Sequence, residues 1–282
     1  MPTGHAATRD RLRLMSDEPL GAAILAADGR RRRSWRLRFL ITWMLIVAGL
    51  LAFVFGTIKL DATFINKWIP FILAGVPVTL FVSGTAMALA IVLAILGALG
   101  RMSANPLPNA VASFYVSFFR GTPLLLQIFF IYLALPQAGI VIPELPTGIL
   151  ALGLNYGAYM TEIFRAGIQA VPHGQVEAAQ SLGMSSRTTF LRIVVPQAFR
   201  IVTPAIGNDF VAMLKDSSLV SAIGVQELLW RAQAAGRPTL QSMQTLLIAA
   251  LVYWTMTIVF SLFQGRLERR MATGDRLRTA RP

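Results

Sequence analysis

Six ionisable side chains stand inside runs that are otherwise apolar: Arg120, Glu162, Arg165, Asp209, Lys215 and Asp216. A charge in such a run is costly unless it is paired, reaches the membrane edge, or faces protein or water. Arg120 is followed by Gly121, Thr122 and Pro123. Pro123 frees a carbonyl one turn back, and the Thr122 hydroxyl can supply a compensating hydrogen bond. Asn155, Tyr159 and Glu162 are spaced i, i+4, i+7 and share one helix face, which should turn into a bundle or a water-filled path. Glu162 and Arg165 are spaced i, i+3 and can pair in a structural network, so Asn155 and Tyr159 are the better path candidates. Asp209 and Lys215 are not spaced for an intrahelical pair, and Lys215 and Asp216 diverge, so their partners belong on other helices or another subunit. Met213 and Leu214 read as packing residues. This inventory suits hydrogen bonding and charge compensation along a path. Cysteine is absent, the two histidines are His5 and His173, and there is neither an HExxH nor a GxxxxGK[ST] sequence. The chain therefore lacks a thiol nucleophile, a histidine metal cluster and a phosphate loop for hydrolysing ATP.

The elements that must position these groups are long apolar blocks. The chain is 55% hydrophobic and 14% charged, against about 25% charged for a soluble domain. The pattern predicts an all-α, polytopic bundle with six spans near 39–58, 71–99, 110–135, 147–167, 201–223 and 245–263. Pro77 marks either a kink in the second span or a lead-in segment before it. Residues 59–70 and 136–146 read as outer loops. Residues 225–242 read as a short amphipathic element, also outside, ending in the turn Gly236-Arg237-Pro238. The net charge of +13 sits in flanks and loops, so anionic membrane lipids explain it more simply than nucleic acid does. With both termini inside, the outer loops hold only Lys59, Lys67, Arg231 and Arg237, and the basic tails at 1–38 and 267–282 lie in the cytoplasm.

The longest polar interruption in the second half is 171–198. Pro172 is placed to open a short helix, and Gln175 to Leu182 carries Val176, Ala179 and Leu182 near one face. Gly183 suits a C-cap, Ser185 and Ser186 suit the cap of the next helix, and Pro196 should bend or break the chain. By pattern alone this is either an interfacial helix or a docking surface.

Glu177-Ala178-Ala179, followed by Gly183, Phe190, Ile193 and Pro196, resembles the EAA signature of ABC importer permeases. Phe119 to Gln127, FRGTPLLLQ, resembles a segment of the polar amino acid branch, of the histidine, glutamine, arginine and glutamate type. So does Lys215-Asp216-Ser217-Ser218-Leu219-Val220 with Gly224. The resemblance covers roughly 70–266. It implies a type I importer fold with a five-helix core, preceded here by an added helix at 39–58. It implies that Glu177, Ala178, Ala179, Leu182 and Gly183 form a coupling surface. Arg120, Thr122, Pro123, Lys215, Asp216 and Ser218 would then belong to the gate, path or subunit interface, with Asn155, Tyr159, Glu162 and Asp209 as further candidates. The implied partners are two ATP-binding subunits carrying ATP and Mg, a second permease copy or homologue, and a periplasmic amino-acid-binding protein, all at a bacterial inner membrane. An ion-coupled secondary transporter is the alternative, but it leaves the EAA-like loop without a role.

Overall fold

The computed structural model describes residues 34–49, 52, 53, 56 and 61–279, with side chains described up to residue 269. Most of the basic tail expected at 1–38, part of the first span and the last three residues lie outside this set. The chain divides into two units, Met1–Leu60 and Asp61–Pro282. In the first unit, residues 34–49 are helical and their apolar side chains are exposed except for the half-buried Val47. Trp35 stacks on Phe39 there at 5.4 Å.

The second unit begins with α1 (Ala62–Leu73), in the stretch expected to be loop. The reason is a cap. Asp61 accepts hydrogen bonds from the amides of Thr63 and Phe64, satisfying two orphan donors of the first turn. A turn at Ala74 and Gly75 leads into α2 (Val76–Met102), with Pro77 in its first turn. Pro77 therefore marks the end of a lead-in segment and not a kink. A Cβ at Gly75 would stand 2.6 Å from the Leu228 Cα, so only glycine permits this approach.

Next come α3 (Pro106–Gly121) and α4 (Leu124–Phe129). The chain continues through a π turn and a 3-10 turn to Ala138. The two halves meet at 108°. The central element is α5 (Glu144–Gln169). After it lie α6 (His173–Ser181), α7 (Ser186–Thr189) with a π turn over Phe190–Val194, and α8 (Val195–Asp216). A 3-10 segment (Ser217–Ile223), α9 (Leu228–Gly236) and α10 (Ser242–Thr279) complete the chain.

Of the bend or break expected at Pro196, a break does not occur. Pro196 sits in the first turn of α8, and the π turn before it shifts the hydrogen-bond register, with the Val195 amide donating to the Phe190 carbonyl. The helical run from Ser186 to Ile223 stays continuous.

Core packing follows membrane rules, where small residues let backbones approach. Ser83, Ala86, Ala90, Ala94 and Gly97 form a buried stripe on α2. Gly153, Gly157 and Thr161 are buried on α5, and Gly97 meets Thr161 directly. Val82, Ile128, Leu152, Met160 and Met213 complete this core. A second core joins Ile72 of α1, Leu214 of α8, Leu228, Ala232 and Ala235 of α9, and Ala249 and Met256 of α10.

Among the described residues three helices are long and apolar enough to cross a membrane, or four if the bent α3–α4 pair counts as one span. The span expected at 147–167 coincides with α5, which is not one of these. Its 26 residues reach about 39 Å. Its polar and small side chains lower its hydropathy, and burial against neighbouring helices shields them from lipid.

Candidate functional site

Four polar features are built into this frame: a mended helix break, a membrane-embedded charge cluster, an exposed short helix and a buried carboxylate.

The break lies at Gly121-Thr122-Pro123. Proline has no amide hydrogen, so Pro123 leaves the Phe119 carbonyl without its helical donor. Two side-chain amides replace it. Gln127 Nε2 donates to the Phe119 carbonyl at 2.9 Å and Asn155 Nδ2 donates to it at 3.0 Å. Gln127 also donates to the Thr122 carbonyl and hydroxyl, at 3.0 and 2.8 Å, and accepts from Asn155 at 3.1 Å. The Thr122 hydroxyl donates to the Phe118 carbonyl at 2.9 Å, one residue before the carbonyl that Pro123 frees. Both amides are buried. Asn155 thus has a scaffold role at the break, which its spacing in the sequence did not suggest. Gln127 completes the scaffold. It stands in the quoted motif, but only its approach to Phe119 and Asn155 reveals its role.

The charges sort by partner. Glu162 accepts from Arg165 at 2.7 and 3.0 Å and from Arg101 of α2 at 3.3 Å. Arg101 also donates to Ser113 of α3 at 2.6 Å. The expected i, i+3 pair is therefore one arm of a clamp holding α2, α3 and α5 together. One turn earlier on α5, Tyr159 is exposed and carries the Arg120 guanidinium 5.1 Å above its ring. This is a cation–π contact that leaves the Arg120 donors available. On the adjacent face the Tyr156 hydroxyl donates to Asp216 at 2.7 Å, with Asp209 close to the same tyrosine. The Asp209 Oδ2 atom is buried without a hydrogen-bond partner. Lys215 is exposed and has no carboxylate partner among the described residues. Ser218 is half-buried. The structure therefore brings Tyr156, Tyr159, Arg120, Asp209 and Asp216 to one region, with Asn155 and Glu162 engaged in structural hydrogen bonds beside it.

The exposed short helix is α6. Its end is a Schellman turn: the Gly183 amide donates to the Gln180 carbonyl at 2.9 Å and the Met184 amide to the Ala179 carbonyl at 3.1 Å. This needs a positive φ, and Gly183 has +79°. The Ser185 hydroxyl caps α7 by accepting from the Thr188 amide. Ala179 is buried and Val176 packs against Val171, Val194 and Ala198, whereas Glu177 and Ala178 are exposed. The helix closes at Ser181, so Leu182 leaves the face it was expected to share and is 83% exposed. A rigidly capped turn that presents a solvated leucine and a carboxylate suits protein docking.

A fourth polar feature was not foreseen. Glu227, assigned from sequence to an outer amphipathic stretch, is fully buried. Its carboxylate accepts from the Trp230 amide at 2.8 Å, from the Thr79 hydroxyl at 3.4 Å and from the Tyr253 hydroxyl. It caps α9 and ties it to α2 and α10. Burial pushes its carboxyl above the ordinary value.

An all-α bundle of long apolar helices, with shielded charges and one capped polar projection, is the architecture of a membrane permease subunit. Residues 86–273 match the binding-protein-dependent transport system inner membrane component family, and the chain belongs to it. The chain is 39% identical over 203 residues to the L-cystine transport system permease protein TcyB of Bacillus subtilis, covering 72% of this chain and 87% of that protein. It is 36% identical over 218 residues to the arginine transport system permease protein ArtQ of the same organism, covering 77% and 100%. A solved amino acid ABC transporter crystallised with histidines superposes with a TM-score of 0.72 at 38% identity, covering 76% of this chain and 100% of that one. The fold is thus that of a type I ABC importer permease, a transport subunit of the membrane that works with ATPase and binding-protein partners. The family assignment also removes the secondary-transporter alternative.

Proposed function

We propose that this chain forms one half of the path of an ATP-driven amino-acid importer in a bacterial inner membrane. Two ATP-binding subunits hold ATP and Mg and hydrolyse it, and this chain itself hydrolyses none. Both termini lie in the cytoplasm, and a second copy or a homologous permease supplies the other half. The domain plan is a basic tail at 1–38, an added helix at 39–58, the permease domain at 70–266 with its coupling loop at 171–198, and a second basic tail at 267–282. The coupling surface is Glu177, Ala178, Ala179, Leu182 and Gly183. Arg120, Thr122, Pro123, Tyr159, Asp209, Lys215, Asp216 and Ser218 shape the path, the gate or the permease interface.

The observation that carries this reading is the Schellman-closed α6 with Leu182 exposed between two membrane helices. Closing the ATPase pair pulls such a projection as a rigid lever, and the continuous helix from Ser186 to Ile223 delivers the pull to Asp209, Lys215 and Asp216. The amino-acid class is supported by the cystine and arginine relatives and by the transporter holding histidines. The test is uptake into proteoliposomes carrying this permease and its ATPase, with a binding protein outside. Uptake should need ATP on the ATPase side and the binding protein. Uptake driven by an ion gradient without ATP would contradict the reading.

A further inference from the structure

Away from the break, the charge cluster and the α6 projection lies a polar cavity of about 320 Å³, lined by Ser221, Ala222, Trp230, Gln233, Ala234 and Arg237. It sits beyond the far end of α8 from the coupling loop; the 22 residues of α8 separate the two by roughly 33 Å. On α9 the lining residues Trp230, Gln233, Ala234 and Arg237 are spaced i, i+3, i+4, i+7 and form one face. The other face, Leu228, Ala232, Ala235 and Gly236, is buried in the second core. Buried Glu227 fixes the start of the helix. The cavity wall is thus held from behind by packing and at its head by a cap, and Ser221 faces it from the 3-10 segment that follows Asp216.

Its chemistry has one sign. Arg237 is the only charged group lining it, and Gln233 accepts one Arg237 N–H at 2.8 Å, orienting the guanidinium. A guanidinium steadied by an amide, with a hydroxyl beside it, is suited to a carboxylate, and the indole offers a flat apolar face to the substituent that carries it. The volume suits a single amino acid. Arg237 also stands at the C-cap of α9, where a cation favours the helix dipole, but that role needs neither the cavity nor the hydrogen bond from Arg237 to Gln233.

We propose that this cavity is an entry subsite that holds the α-carboxylate of an amino acid on the face opposite the coupling loop, before it reaches the Asp209–Asp216 region. This rests on the amino-acid import reading above. The same carboxylate chemistry could be offered by an acidic side chain of the docked binding protein, and the experiment separates the two.

The permease–ATPase complex is placed in nanodiscs without binding protein. Binding of radiolabelled arginine, cystine and histidine is measured beside agmatine and histamine, which lack the carboxylate. Arg237→Gln and Trp230→Phe are compared with the unchanged complex, and binding-protein-stimulated ATP hydrolysis is recorded for each. The expected result is binding of at least one amino acid, no binding of its amine, and roughly tenfold or greater weakening in Arg237→Gln, the size of losing one charged hydrogen bond. Unchanged binding in Arg237→Gln overturns the proposal. So does loss of binding-protein stimulation with amino-acid binding intact, which would assign the cavity to docking. If no amino acid binds while ATP-driven uptake persists, the subsite fails and the importer reading stands. If ATP-driven uptake is also absent, the importer reading fails with it.

Discussion

The break at Gly121–Pro123 and the turn at Leu182–Gly183 are both interruptions of helix by residues that cannot continue it, yet they end differently. At the break the freed Phe119 carbonyl is recovered inside. The carbonyl orphaned by Pro123 receives two amide donors, one from 28 residues beyond Gln127 in the chain. At the turn the backbone is satisfied locally by the Schellman pair, and the side chains are left over: Leu182, Glu177 and Ala178 face solvent. The first arrangement fixes helices relative to one another. The second presents a surface. Polar or breaking residues therefore mark either scaffold or contact, and what separates the two is whether tertiary partners absorb their side chains.

That difference predicts an order of effects on folding stability. The largest belongs to the break. Replacing Asn155 and Gln127 together with leucine leaves the Phe119 carbonyl buried without a donor, and the loss should be about 3 kcal/mol or more in denaturant unfolding in detergent. Because both amides bond the same carbonyl and each other, the double variant should cost less than the sum of the singles. Additive costs would break the description of one shared network.

The helix seam comes next. A Cβ at Gly157 would stand 2.6 Å from the Tyr115 hydroxyl and 2.9 Å from the Leu93 Cβ. Tyr115 donates from that hydroxyl to the Leu154 carbonyl at 2.7 Å, so it cannot simply swing away. Gly157→Ala should cost about 1–3 kcal/mol as overpacking, read as a fall in melting temperature.

A smaller, pH-dependent effect falls on Glu227. Its carboxyl is held above its ordinary value by burial. Below the ordinary carboxyl value of about 4.3, both folded and unfolded forms are protonated and the full stability is present. As pH rises from there through the raised folded value, the unfolded chain ionises first and stability is lost. Glu227→Gln should abolish that decline in thermal unfolding followed across the range. A decline of the same size in the variant would assign it to another group.

The smallest stability effect belongs to the turn. Leu182→Asp should shift unfolding by no more than about 0.5 kcal/mol, as for an exposed position with no packed neighbour.

Much of this was legible in sequence where the cause is local. Gly183 has a positive φ because the turn needs one, Ser185 caps because its hydroxyl reaches three residues on, and the apolar neighbours Met213 and Leu214 are buried, one in each core. What the chain hid was set by residues distant in sequence. Asn155 looked like a path residue because its acceptor, the Phe119 carbonyl, is 36 residues away. Glu227 looked like a surface acid because Thr79 and Tyr253, which bury it, are 148 and 26 residues distant. At Pro196 a bend or a break was expected, and a π turn, which keeps the helix from ending there, leaves no mark in residue type. Leu182 fell off its expected face because the helix stopped one residue sooner than the apolar spacing suggested.

On the proposed reading, α6 transmits work without holding the fold together. The most direct measurement is ATP hydrolysis by the permease–ATPase complex in nanodiscs, with the unchanged chain, Glu177→Ala and Leu182→Asp compared at equal membrane-domain stability. The account predicts a properly folded permease whose binding-protein-stimulated hydrolysis falls tenfold or more in Leu182→Asp, with a lesser fall in Glu177→Ala. Unchanged stimulation in Leu182→Asp, in a complex that still assembles, would contradict it.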